Sequence, residues 1–271
     1  MVSEYLREQA RRIRELILIS LTEAGSGHLG GSLDLADIFS VLYFEHLRHD
    51  PHNPDWEDRD KLILSIGHTA PVLYATLALA GYYPIEELHS LRQLGSRLQG
   101  HPSKAFQLPG LESCSGSLGQ GLGVAMGMAL AARMDKRPTR VYCVLGDGEL
   151  QEGSVWETAM AAAHHRLDNL CAIVDRNRLQ IDGRTEDVLA LDPLDAKWSS
   201  FGWQVLEIDG HDIGQIKEAL ECAATIKDKP SVVIANTIMG KGVPSIENDC
   251  RWHGKVPTSE QLASFLKELY G

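Results

Sequence analysis

The sequence predicts an α/β fold, a mainly parallel sheet flanked by helices on both faces. Short apolar runs at Leu62–Ile66, Val141–Leu145, Leu170–Val174, Gln204–Ile208 and Ser231–Ala235 alternate with stretches of helical periodicity near 70–80, 119–134, 154–166 and 212–224. The length, 271 residues with 44% hydrophobic and 23% charged, is enough to bury a full core. No repeat, low-complexity segment or linker interrupts it, so one unit spanning 1–271 is expected.

Each element has a local reason. A first helix is expected from Ser3, a capping residue, to Ala24, with Gly25 ending it. A second is expected from Asp34 to His46, and a last one near 258–270 packs on the outside or on a partner. Gly119, Gly123 and Gly127 fall four apart on one helical stretch; close helix packing offsets the roughly 1 kcal/mol that each interior glycine costs.

Composition excludes some functions. A formal net charge of −11 lacks the basic footprint of a nucleic-acid binder. No apolar run approaches the ~20 residues of a membrane span, and the amphipathic N-terminus has no signal-peptide core. The cysteines at 114, 143, 171, 222 and 250 form no CxxC, and three lie in apolar surroundings. Buried thiols in a reducing cytoplasm are the expectation.

In an open parallel sheet, ligands bind beyond the carboxyl ends of the strands. The run Val141–Leu145 ends in Gly146-Asp147-Gly148-Glu149, and Leu170–Val174 ends in Asp175-Arg176-Asn177. If these strands are parallel neighbours about 4.8 Å apart, Asp147 and Asn177 reach one cation together. Their oxygens suit Mg²⁺ first, with Ca²⁺ or Mn²⁺ also compatible. Two side chains leave the shell open for water and ligand phosphates, so the pattern asks for a phosphorylated cofactor. The helix beginning near Ser154 presents free N–H groups to the same edge. A plain strand-to-helix turn capped by Asp is the competing explanation.

Gly146-Asp147-Gly148 followed by Asp175-Arg176-Asn177 resembles the signature of thiamine-diphosphate enzymes. That resemblance implies metal binding by Asp147, Asn177 and the backbone carbonyl of Leu179, with the metal gripping the diphosphate. Five of the eleven histidines adjoin a glycine. Ser26-Gly27-His28, Ser65-Ile66-Gly67-His68, Gly100-His101-Pro102, Ser115-Gly116-Ser117-Leu118-Gly119-Gln120-Gly121 and Trp252-His253-Gly254 together resemble transketolase over nearly the whole chain. Leu29 departs from the proline usual there. The resemblance implies that His68, Gly148, Asn177 and His253 hold the diphosphate end, and that Gly116, Ser117 and Leu118 contact the aminopyrimidine. It further implies that His28, His101 and His253 face the sugar and move its protons, and that Glu152 links the two cofactor sites of a dimer. His211 matches the family too, with a structural role favoured.

The family's ring-protonating glutamate and phosphate-binding arginines lie in further domains. The expectation is therefore a split enzyme, paired with a chain of pyrimidine-binding and C-terminal domains as α₂β₂. It would transfer a two-carbon ketol unit from a ketose phosphate such as xylulose 5-phosphate to an aldose phosphate such as ribose 5-phosphate. Alternatives are a transketolase-like chain acting on apulose phosphate or a sulfosugar, the α chain of a 2-oxoacid dehydrogenase, and a non-catalytic protein retaining the fold.

Overall fold

A computed structural model describes residues 2–271. Among them, five strands form one parallel sheet in the order β1-β2-β3-β7-β6: β1 (Lys61–Leu64), β2 (Val141–Gly146), β3 (Leu170–Arg176), β6 (Gln204–Asp209) and β7 (Ser231–Asn236). Two further strands, β4 (Leu179–Gln180) and β5 (Gly183–Arg184), make a short antiparallel hairpin after β3. The helices are α1 (Val2–Ala24), α2 (Gly30–Asp34), α3 (Ala36–Val41), α4 (Ala70–Leu79), α5 (Gly121–Met134), α6 (Gly153–His164), α7 (Thr185–Val188), α8 (Leu194–Ser200), α9 (Ile213–Thr225) and α10 (Ser259–Tyr270).

Strand side chains alternate between two cores, as the two-residue period of a strand requires. Tyr142, Val144, Cys171, Ile173 and Val233 face α1, α3, α4 and α9. Val141, Cys143, Leu145, Ala172, Val174 and Val232 face α5, α6 and α8. Helices therefore cover both faces, as the apolar runs predict. The connection after β3 skips a place, and β7 returns to pair with it. The order of strands thus reverses between β3 and β7, which opens a crevice at their carboxyl ends.

Several local expectations differ. Ser3 lies inside the first turn of α1 rather than ahead of it. The helix expected over 34–46 is broken into α2, α3 and a wide π turn over Leu42–His46. The chain leaves β1 at Leu64, and Ser65 and Ile66 belong to the turn that carries His68. Gly119 precedes α5 with φ +81°, and a Cβ there would strike Glu152 and Ser154. Gly123 lies near Thr158 of α6, whereas Gly127 faces open space. A Cβ on Gly123 would make an ordinary contact at 3.6 Å, so close packing accounts for Gly119 and not for Gly123 or Gly127. Cys143 and Cys171 are buried, while Cys114 and Cys222 are exposed and Cys250 is half-buried.

α10 starts with a reciprocal cap between Thr258 and Gln261 and packs on α1, where the Tyr270 hydroxyl donates to Glu15 at 2.8 Å. No described helix is long and apolar enough to cross a membrane.

Candidate active site

β2 and β3 pair directly, with Gly146 opposite Asp175, so their loops emerge side by side. Asp147 is buried there. Its Oδ1 accepts the Gly148 N–H at 2.7 Å; its Oδ2 accepts the Arg178 N–H at 2.7 Å and the Arg176 guanidinium at 3.2 Å. Burial pushes its pKa up to about 6, opposed by the charge of Arg176. Asn177 donates Nδ2–H to Asp34 at 2.9 Å and Asp175 at 3.1 Å, while its Oδ1 accepts the Leu179 N–H at 2.9 Å. Oδ1 of each residue retains a lone pair for a cation. Among the described residues no three His, Cys, Asp or Glu side chains converge on one point. The available donors are a carboxylate, an amide oxygen and a backbone carbonyl, a set that fits a hard divalent ion completed by phosphate oxygens.

Four imidazoles form the other wall. The rings of His28 and His68 lie 5.1 Å apart, His28 and His253 5.8 Å, His28 and His101 6.3 Å, and His68 and His253 5.1 Å. Burial, with smaller contributions from neighbouring imidazoles, depresses His68 to about 3 and His28 to about 4. Burial also lowers His101 and His253. The cluster is thus neutral near pH 7. The Nδ1 atoms of His28 and His253 are buried with no protein partner. Such atoms call for a ligand or water hydrogen bond.

The loop carrying Gly116 reaches this wall because Gly67 has no side chain. A Cβ on Gly67 would lie 2.6 Å from Ser115 Oγ and 2.8 Å from the Gly116 nitrogen. Glu149, buried behind the turn, ties three segments together. Its Oε1 accepts from the Ser65 hydroxyl and from the Gly119 N–H at 2.8 Å, and its Oε2 accepts the Gly146 N–H at 3.2 Å. Burial raises its pKa, and these donors pull it back.

A cavity of about 420 Å³ lies between the two walls. His28, His68, His101, Gly116, Leu118, Asp147, Gly148, Glu152, Asn177, Leu179 and His253 all line it. Ser117 is exposed beside them and does not. Lining residues not singled out from sequence include Thr69, Gln151 and Gln180, the last two joined at 2.9 Å. No lysine or arginine lines the cavity, while Asp147, Glu149, Glu152, Asp175 and Asp182 do. His211 lies elsewhere: its Nδ1 pairs with Asp37 at 2.9 Å and its Nε2 accepts the Ile238 N–H at 2.9 Å. The ring thus bridges α3 to the loop after β7, a structural role as expected.

A family model described as the transketolase, thiamine diphosphate binding domain matches residues 6–271. The chain belongs to the transketolase family. Among similar proteins, the 6-deoxy-6-sulfo-D-fructose transketolase subunit of Clostridium sp. (strain MSTE9) is 45% identical over 97% of this chain and 96% of its own length. An apulose-4-phosphate transketolase subunit of Phocaeicola vulgatus is 40% identical over 98% of this chain and 94% of its own. The crystal structure of transketolase from Campylobacter jejuni superposes with a TM-score of 0.91 at 38% identity, covering 98% of this chain. This chain spans 42% of that transketolase. The fold is therefore that of the transketolase thiamine-diphosphate-binding domain, an α/β domain with a parallel sheet.

Proposed function

We propose that this chain is the cofactor-anchoring half of a two-chain transketolase, working in the cytoplasm with a partner that carries the pyrimidine-binding and C-terminal domains, as α₂β₂. The observation that carries this reading is the cavity itself. Four neutral imidazoles face an oxygen donor set across a lining that has acids and no lysine or arginine. A diphosphate cannot rest against such acids unaided. It needs a divalent cation, with Mg²⁺ first, held by Asp147, Asn177 and the Leu179 carbonyl.

His68, Gly148, Asn177 and His253 then hold the diphosphate end, and Gly116, Ser117 and Leu118 hold the ring end. Glu152 faces a second cofactor site in the dimer. Bound thiamine diphosphate supplies the nucleophilic carbon and the electron sink for the two-carbon unit. His28, His101 and His253 bind the ketose hydroxyls and accept the C3 hydroxyl proton as the C2–C3 bond breaks. The anionic charge of a bound diphosphate and sugar phosphate favours imidazolium, which lifts the depressed pKa values toward neutrality.

The test mixes this chain with its partner, thiamine diphosphate and Mg²⁺, and follows transfer from xylulose 5-phosphate to ribose 5-phosphate. Asp147→Ala should abolish metal-dependent cofactor binding; undiminished metal dependence would refute the metal assignment. A second reading, transfer from a sulfosugar or apulose phosphate, is favoured by the names of the relatives matched along nearly their whole length. Assay of the same pair with 6-deoxy-6-sulfo-D-fructose and apulose 4-phosphate as donors separates the two.

A further inference from the structure

We propose that Asp34 is a positioning residue that locks and polarises the amide of Asn177 so that its oxygen, and not its nitrogen, faces the metal. This inference rests on the reading of Asn177 as a metal ligand.

Asp34 ends α2 and is completely buried. Its Oδ1 accepts the Gly240 N–H at 2.7 Å, and its Oδ2 accepts from Asn177 Nδ2 at 2.9 Å. No lysine, arginine or histidine forms an ion pair with it among the described residues. Burial and the neighbouring Asp175 push its pKa well up, opposed by the hydrogen bonds from Asn177 and Gly240 and by the more distant charge of Arg14, so its place is set by those hydrogen bonds and not by an ion pair. Here one of them is spent on the Asn177 amide. Asp175, also buried, takes the second amide hydrogen at 3.1 Å and is itself held by the Thr237 hydroxyl.

Both hydrogens of Asn177 Nδ2 are thus committed to carboxylates. Rotating the amide by half a turn would set its oxygen against two acceptors, so the observed orientation is fixed. Two carboxyl oxygens accepting from the nitrogen also draw electron density onto Oδ1, which makes it a better donor to a cation. This is the support that outer partners give to metal ligands generally. Asp34 and Asn177 are 143 residues apart in the chain, and α2 is brought to the loop after β7 by Gly240, whose N–H donates to Asp34.

The test titrates Mn²⁺ into the assembled protein with saturating thiamine diphosphate and reads free Mn²⁺ by electron paramagnetic resonance. Asp34→Asn keeps the shape but can satisfy only one of its two donors. It should weaken Mn²⁺ binding roughly 10–100-fold. In an Asn177→Ala background the same change should have no further effect, because its only route to the metal is gone. Equal loss in both backgrounds would mean that Asp34 merely braces α2 against Gly240, and would overturn the proposal. If Asn177→Ala alone leaves Mn²⁺ affinity intact, the ligand assignment falls and the proposal with it. Should Asp34→Asn not fold, the double substitution Asp34→Asn with Asn177→Asp restores one donor-to-acceptor contact with its polarity reversed. It is expected to bind Mn²⁺ more tightly than Asn177→Asp, and the reverse order would overturn the proposal.

Discussion

Replacing Glu149 with glutamine should loosen the site and the fold together. The carboxylate receives the Ser65 hydroxyl and Gly119 N–H on one oxygen and the Gly146 N–H on the other. Ser65 Oγ in turn accepts the Gly121 N–H at 3.1 Å. Glutamine keeps an acceptor for the first pair but turns an NH₂ group toward Gly146. A buried N–H left unpaired costs about 1–3 kcal/mol, and the remaining bonds lose their charge assistance, about 1 kcal/mol each. Relief from burying a charge, seen in the raised pKa of Glu149, returns part of this. The net expectation is a loss of roughly 2–3 kcal/mol, or about 4–12 °C in melting temperature for a chain of this size. Thermal unfolding followed by circular dichroism at pH 8 measures it, with Glu152→Gln as the unchanged control, because the exposed Glu152 side chain makes no hydrogen bond among the described residues. If Glu149→Gln melts within about 1 °C of the parent, the carboxyl is already protonated or the three donors are satisfied otherwise, and the reasoning fails.

Three other outcomes follow from the same geometry. The unfolded chain protonates its histidines near pH 6.5, whereas folded His28 and His68 wait until about 4 and 3. Folding stability from these groups is therefore full above pH 6.5 and falls as the pH drops toward their folded values. His68→Asn should make urea midpoints less sensitive to acidification between pH 7 and 5; equal sensitivity would show that His68 is not withheld from protons. Gly121→Ala drives a methyl into the Ser65 side chain, 2.7 Å from its Cα, and should destabilise by about 1–3 kcal/mol in a melting experiment. Gly127→Ala meets nothing within 4 Å and should stabilise the chain by roughly 0.5–1 kcal/mol, while any loss of assembly on a sizing column would mark that face as an interface.

The sheet was legible because β1, β2, β3 and β7 are buried along most of their length and read as near-continuous apolar runs, while the half-exposed edge strand β6 still shows Val205, Leu206 and Ile208. The loops carrying Asp147 and Asn177 were legible because these residues follow directly on β2 and β3. The parts that stayed hidden depend on contacts remote in sequence. The helix over 34–46 has unbroken apolar periodicity, yet it breaks at Leu35, next to a side chain captured by Gly240 and Asn177. Glu149 reads as one more acid in a loop; its role depends on Ser65 and Gly119 arriving from elsewhere. α8 was missed because its seven residues are polar apart from a few, and it is held by Trp198 packing on Trp156 and Trp203.

The charge pattern of the cavity bears on where sugar identity is decided. Relatives of similar closeness carry names for a sulfonated sugar and for a phosphorylated one. Either anion needs cations to hold it, and none lines the cavity of this chain. The positive groups near it are otherwise engaged: Arg176 is buried behind Asp147 at 3.2 Å, Arg92, which adds to the burial that lowers His28 and His101, donates through Nε to Ser26 at 3.0 Å, and Lys255 stacks 4.5 Å over Trp252. In the proposed function the imidazoles meet hydroxyl groups that all such ketoses share, which assigns this chain to the reacting end of the sugar. Discrimination at the far end must come from groups outside the cavity. Exchanging the partner chain should therefore change the preferred donor more than any substitution among His28, His101 and His253, which should lower the rate with every donor alike.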